Sequence, residues 1–519
     1  MQLAETIRRL SPWIGAALAG LLLAAAFPPL EWAGTAWVAL VPLMLAVRDM
    51  RPRRALALGL FGGAVFWIPS ISWLRHVTLP GAVGLALYCA LYVMLFALLF
   101  SMWCRRFGVE RWWKNLGLVL LSAAAWVALE YLRSVFGTGF AWNHLGASQY
   151  QNIYLIQSAR WGGVYAVSAV MVAVNAAAAL TLLQYMDQKG RWKHPHPELL
   201  LAAVVLAVAM LDGKHSLRIT APPSQPLRVA LIQPNIPQPY FFMPEQFSFI
   251  RDTLRQLSKD ALAGGMPDLL IWSETADPEE LRNSPDAYNL AYELVTNGVP
   301  LLAGSMDTEW TDEGPLYYNC TFLVDSSGKI VESYDKRHLV PFGEYVPLRN
   351  IFPFLKAVTP IQDSFTPGST STVFRLDQPS VAFSVLICFE DTVASLARES
   401  VRNGARLLIN QTNDAWFEPS CASKQQMIQC VFRCVENGVP AVRCGNTGVS
   451  CVIDRSGRVI AMLADENGCP RVVGFKTATV DVPGDSLPRT FYNRYGDVFA
   501  WLCAGVSLLA AVLLPLKTR

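Results

Sequence analysis

Apolar residues are not spread evenly along this chain but gathered towards its two ends. Long apolar runs fall at 12–28, 33–47, 55–74, 80–103, 116–132, 163–184, 198–211 and 496–516. Most are long enough to cross roughly 30 Å of hydrocarbon as helices, so the pattern predicts about eight membrane spans. The seventh run is the short one: its apolar core extends only from Leu199 to Leu211, against about 20 residues for a usual span. The first run follows Arg8 and Arg9 and contains Ala24-Ala25-Ala26, a pattern shared with cleaved signal peptides. Further apolar runs directly behind it favour a retained membrane helix.

Between the seventh and eighth runs the periodicity changes to short strands alternating with amphipathic stretches. The pattern predicts strands at 227–233, 268–273, 299–304, 320–325, 381–388, 406–411, 439–444 and 450–454. It predicts helices at 245–262, 286–297, 391–403 and 423–436. The expected organisation is a membrane part, 1–211, a soluble α/β domain, 212–495, and a last membrane helix with its tail, 496–519. There is no internal repeat and no low-complexity tract.

Composition supports the division. Of 519 residues, 53% are hydrophobic and only 16% charged, too apolar for one soluble domain. Basic residues then set the expected orientation. Arg8 and Arg9, Arg48 to Arg54, Arg105 to Lys114, and Lys189 to Lys193 fall on one side if the spans alternate, and that side should be the cytoplasm. With the seventh run crossing, the α/β domain lies outside and the Lys517 and Arg519 tail returns inside. The net charge of +3 reflects these loops and gives no argument for nucleic acid.

The chemistry centres on Ser384-Val-Leu-Ile-Cys-Phe-Glu-Asp391, an apolar strand that ends in a cysteine with two acids behind it. Alone, such a cysteine is most often a small buried hydrophobe. Two other segments change the balance. Asp268-Leu-Leu-Ile-Trp-Ser-Glu274 delivers a carboxylate to another strand end, and Tyr334 to Pro347 carries Lys336 and Glu344. A thiol with an ordinary pKa of about 8.5 is only a few per cent thiolate at neutral pH, so Cys388 needs a base, for which Glu274 is the candidate. Attack on an ester or amide carbonyl places charge on oxygen, and Lys336 with the N–H after Cys388 can receive it. Glu344 and Glu390 are candidates for fixing that lysine and the site around it.

The order Glu, Lys, Cys, with the local patterns W-x-E-T, Y-D-K, G-E-Y-V-P and C-F-E-D, resembles the nitrilase or carbon-nitrogen hydrolase superfamily. Leu231-Ile-Gln-Pro-Asn-Ile-Pro-Gln238, His338 to Pro347 and Asn413-Asp-Ala-Trp-Phe417 resemble the matching segments of the apolipoprotein N-acyltransferase family, as does Gly139-Phe140-Ala-Trp142 in a membrane loop. The resemblance implies a four-layer αββα sandwich beside the helical membrane bundle. It also implies an inner-membrane enzyme with its catalytic domain in the periplasm, working as a monomer. There Cys388 would take an acyl chain from a phospholipid as a thioester and pass it to the amine of a diacylglyceryl-cysteine on an apolipoprotein. Glu274 would be the base and Lys336 the oxyanion donor, and no metal or cofactor is implied. Two other readings stay open: a membrane-tethered amidase of the same superfamily, and a non-catalytic lipid- or lipoprotein-binding protein.

Lipid access requires an apolar approach, and two segments offer it: Pro239-Tyr-Phe-Phe-Met243, and Val340 through Tyr345 to Ile351-Phe-Pro-Phe-Leu355. Phe242, Tyr345, Trp416 and Phe417 are the candidate substrate contacts. The chain departs from the family's usual pattern at Ser273, Phe242, Glu418 and Gln426, where proline, tryptophan, glycine and histidine are common. In the membrane part, Glu130 and Arg133 are spaced to pair with each other, and His144 reads as structural. Eight of the eleven cysteines fall in the α/β domain, where sequence gives no connectivity. Cys430 and Cys434 lack the companions of a zinc site.

Overall fold

The computed structural model describes residues 2–109, 111–188, 196–218, 223–346, 364–484 and 486–513. The chain forms two compact units. One comprises Met1–Ile219, Ser420–Gln425 and Tyr495–Arg519, the other Thr220–Pro419 and Gln426–Arg494.

The first unit is helical: α1 (Gln2–Ala25), α2 (Val41–Val47), α3 (Pro52–Ser70), α4 (Leu79–Phe107), α5 (Trp112–Val135), α6 (Ala159–Gly162), α7 (Val164–Asp187) and α8 (Pro197–Arg218), with a later α14 (Val498–Leu513). Among the described residues four helices, α4, α5, α7 and α8, are long and apolar enough to cross a membrane. The short seventh run lies in α8, which continues to Arg218 and reaches 22 residues.

The run at 33–47 is not one helix. It forms a 3₁₀ turn, Ala33–Trp37, and then the seven-residue α2. Asn175 of α7 takes over the backbone at the break: its Oδ1 accepts from Leu40 N at 2.9 Å and its Nδ2 donates to Ala36 O at 3.0 Å. Helices α3 and α4 pack closely because glycines face the contact. A Cβ on Gly59 would come within 2.7 Å of Met94 Cα, and one on Gly63 within 2.9 Å of Ala90 Cα.

Glu130 and Arg133 have separate partners. Glu130 Oε1 accepts from Trp126 Nε1 at 2.8 Å and from Leu145 N at 2.7 Å. Arg133 donates to the carbonyls of Phe140 and Trp142, both at 2.6 Å, and lies over the Trp67 ring. Within the same unit Gln425 is fully satisfied. Its Oε1 accepts from the indoles of Trp73 and Trp142 at 3.0 and 2.7 Å, and its Nε2 donates to Pro28 O and Ser70 O, both at 3.0 Å.

Among the described residues the second unit holds twelve strands. β1 (Ser224–Gln233), β2 (Leu269–Ile271), β3 (Leu301–Thr311), β4 (Gly314–Val324) and β5 (Ile330–Asp335) precede β6 (Phe374–Leu376), β7 (Val381–Ile387), β8 (Leu407–Thr412), β9 (Ala441–Gly445), β10 (Cys451–Ile453), β11 (Val459–Met462) and β12 (Gly474–Pro483). They form two six-stranded sheets, ordered β12-β1-β2-β3-β4-β5 and β11-β10-β9-β8-β7-β6. In each the middle is parallel, β1 to β3 and β7 to β9, with antiparallel neighbours outside.

Alternation along the strands splits the apolar residues into two cores. Leu227, Val229, Leu231 and Ile271 of the first sheet meet Phe383, Val385, Leu407 and Ile409 of the second in one core. On the other face of the first sheet, Ile232, Leu270 and Ala303 pack with Ile250 and Leu254 of α9 (Phe247–Ala263) and Leu290 and Leu294 of α10 (Pro285–Val295). Helix α11 (Ala394–Arg402) packs on β7, and α12 (Ala422–Asn437) and α13 (Phe491–Tyr495) complete the elements. The two sheets share the first of these cores and form an α/β sandwich. Every strand expected from sequence is an interior strand; β5, β6, β11 and β12 are the four edge strands, where exposed residues break up the apolar run.

Candidate active site

Three strand ends converge. β2 leads through Trp272 and Ser273 to Glu274, β5 leads directly to Lys336, and β7 leads to Cys388, which opens a 3₁₀ turn, Cys388–Thr392. Cys388 has φ +52° and Thr275, after Glu274, has φ +44°. A non-glycine residue in the left-handed region costs on the order of 1 kcal/mol, and such strain gathers at working sites.

The Cys388 thiol lies in the field of the Glu274 carboxyl and the Lys336 ammonium. Lys336 Nζ lies 3.5 Å from Glu274 Oε1 and 2.7 Å from Glu344 Oε1. Asn319 of β4 ties the two carboxylates together, its Nδ2 donating to Glu274 Oε1 at 2.8 Å and Glu344 Oε1 at 3.0 Å. Each remaining carboxylate oxygen takes a backbone N–H: Asn413 N to Glu274 Oε2 at 2.8 Å, and Val340 N to Glu344 Oε2 at 2.7 Å. Lys336 is 1% exposed and Glu274 8%, so these charges interact with little water between them.

Burial raises the Glu274 carboxyl above its ordinary range, against the pull of Lys336 and with a further push from Glu344. Burial alone would lower the Lys336 ammonium, yet Glu344 and Glu274 carry it above its usual value, so it stays charged. Burial and then Glu274 raise the Cys388 thiol well above its ordinary value, against Lys336. The resting cysteine is therefore a thiol.

Glu390 is 0% exposed and does not touch these charges directly. It accepts from Tyr334 Oη with both oxygens at 2.9 Å, from Arg337 N at 2.7 Å, from His338 N at 3.0 Å and from Ile387 N at 2.8 Å. It ties the backbone after Lys336 to the backbone before Cys388.

Two glycines admit the reactive groups. A Cβ on Gly304 of β3 would lie 2.3 Å from Ser273 O and 2.8 Å from Glu274 Cα. One on Gly368 would lie 2.3 Å from Asp335 O, immediately before Lys336. Both distances are below any real Cβ contact, so only glycine lets these segments close up.

The apolar candidates divide. Phe242 and Trp416 are exposed and meet edge-on, ring centroids 6.2 Å apart. Phe417 is the next residue in the same 3₁₀ turn, Asp414–Phe417. Tyr345 is partly exposed, and its carbonyl accepts from Phe342 N at 2.7 Å. Ile351-Phe-Pro-Phe-Leu355 lies outside the described residues. The eleven cysteines are all free thiols.

Sequence reasoning missed Asn319, Asn410, Asp414 and Arg443. Arg443, 0% exposed, sits in the predicted strand 439–444, where a lone arginine among apolar residues is the one available signal of a buried ion-pair partner.

Comparison with known proteins then identifies the chain. Residues 19–177 match the family model of the apolipoprotein N-acyltransferase N-terminal domain, and residues 228–481 match that of carbon-nitrogen hydrolase. An apolipoprotein N-acyltransferase of Geobacter metallireducens is 36% identical over 98% of this chain and 96% of its own length. The chain belongs to the apolipoprotein N-acyltransferase family. A second apolipoprotein N-acyltransferase, from Agrobacterium fabrum, is 32% identical over 77% of this chain and 74% of its own. Among solved structures, Nit3 of Saccharomyces cerevisiae, a nitrilase-superfamily member, is 19% identical, with a TM-score of 0.37 over 50% of this chain and 90% of that one.

Proposed function

We propose that this member of the apolipoprotein N-acyltransferase family moves one acyl chain from a phospholipid to the N-terminal amine of a diacylglyceryl-cysteine, in two steps through Cys388. The observation that supports this reading is the meeting of the strand ends that lead to Glu274, Lys336 and Cys388 in a buried site, where Lys336 Nζ lies 3.5 Å from Glu274 Oε1 and both groups act electrostatically on the Cys388 thiol.

In the first step Glu274 takes the thiol proton as sulfur attacks the ester carbonyl. The carbonyl oxygen becomes negative beside the Lys336 ammonium and the N–H after Cys388. Collapse expels the lysophospholipid alkoxide, which takes the proton back from Glu274, and leaves a thioester. In the second step the amine attacks the thioester, Glu274 removes its proton, and sulfur leaves to be reprotonated. Glu344 keeps Lys336 charged through both steps and Glu390 keeps the strand ends in register. Phe242, Tyr345, Trp416 and Phe417 form the apolar approach for the acyl chain. We further propose that residues 212–495 face the periplasm of an inner membrane entered by about eight apolar runs, and that the chain works as a monomer.

Intact mass of the full-length protein in detergent, incubated with phosphatidylethanolamine, tests the first step. The expected result is a hydroxylamine-labile gain of one acyl chain, absent from Cys388→Ala. Lipid binding without any such adduct overturns the reading.

A further inference from the structure

The backbone carbonyl of the nucleophile is held from two sides. Asn410 of β8 donates from Nδ2 to Cys388 O at 3.0 Å and to Leu386 O at 2.9 Å. Gln426 of α12 donates from Nε2 to the same Cys388 oxygen at 2.8 Å and to Asp391 Oδ1 at 3.2 Å. Neither amide is free to turn over, because Arg443 sits behind both. Its Nη1 donates to Asn410 Oδ1 at 2.5 Å and its Nη2 to Gln426 Oε1 at 3.3 Å. Guanidinium has donors only, so each amide must show it oxygen and offer NH₂ to the carbonyl. Asp391 at 3.1 Å and Asp414 at 2.8 Å balance the arginine, and all three charged groups are buried.

A peptide unit is planar, so fixing the direction of its C=O also fixes the direction of its N–H. Cys388 O belongs to the peptide whose N–H is on Phe389. Two amide donors on that oxygen polarise the whole unit and make the N–H a stronger donor. They also hold this peptide against relaxation of the left-handed residue that precedes it.

We propose that Asn410 and Gln426 are positioning residues: a clamp, bracketed by Arg443, that aims and strengthens the Phe389 N–H as an oxyanion donor. The inference rests on the acyl-enzyme reading of Cys388.

Two reactions at the same sulfur test it in the full-length protein. Alkylation by iodoacetamide needs the thiolate and forms no oxyanion. Acylation by phosphatidylethanolamine needs both. Mass mapping of the Cys388 peptide follows the first and intact mass the second. Gln426→Leu should leave the alkylation rate within about threefold of wild type while acylation falls roughly 10- to 100-fold, the scale of a weakened oxyanion donor. Gln426→His, which keeps a ring N–H, should recover most of the loss. Gln426→Met serves if a melting curve shows that the leucine variant does not fold. Alkylation and acylation falling together, or acylation unchanged, overturns the clamp. A wild type that is alkylated but never acylated overturns the acyl-enzyme reading, and the clamp with it.

Discussion

Lys336 is bound more closely to Glu344 than to Glu274: Nζ lies 2.7 Å from Glu344 Oε1 and 3.5 Å from Glu274 Oε1. The consequence falls on Glu274, whose carboxyl is raised first by burial and then by the like charge of Glu344, while Lys336 lowers it. Glu274 accepts a proton only when ionised, so acylation is lost as pH falls through its raised pKa. Glu344→Gln removes the like charge and frees Lys336 to attend to Glu274, and both changes lower that pKa. The acid limb of the rate profile should move to lower pH, with a plateau reduced roughly tenfold. Single-turnover acylation against pH is the measurement, and a limb that moves upward or stays in place contradicts this account.

Asn319 shares with Lys336 the donation to both Glu274 and Glu344. Asn319→Leu leaves one oxygen of each buried carboxylate with Lys336 alone. Stability should fall by about 1–3 kcal/mol, and acylation should fall further than the melting temperature explains. Asn319→Asp should be worse, since it adds a third acid to the cluster.

The Glu390 carboxylate accepts from three backbone N–H groups and one phenol. Tyr334→Phe removes one neutral donor and should cost about 1 kcal/mol. Glu390→Gln turns an NH₂ towards N–H groups that already donate, and should cost on the order of 3 kcal/mol. Denaturant melts of the two variants should keep that order.

In the helical unit, Gln425→Leu strands two indole N–H groups and two carbonyls that Gln425 now satisfies. Burying even some of these unpaired costs about 1–3 kcal/mol each, so thermal unfolding in detergent should shift down by several degrees. Lys424→Ala, one residue away and on the exposed side of its ion pair with Glu31, should shift it far less.

What was legible in the sequence follows the physics of burial. An interior strand such as 381–388 is marked by its largely apolar run, and Cys388, proposed as the nucleophile, stands where that run stops. The edge strand Gly474–Pro483 carries no continuous apolar run, because the exposed Thr479 and Asp481 interrupt the buried Val480 and Val482. The 33–47 run misled because Asn175, far along the chain, satisfies the backbone at its break. Glu274, Lys336 and Cys388 can be proposed from sequence because each follows a strand end. Asn319 and Arg443 cannot, because each acts through partners distant in sequence.

Gly304 and Gly368 carry no chemistry, yet each occupies the space where a methyl group would strike the segment bearing Glu274 or Lys336. Gly304→Ala or Gly368→Ala would displace a reactive group without removing it. A mutational screen that reads turnover alone would therefore score both positions as catalytic. Only a comparison with thiol reactivity would show that what was lost is a place to stand.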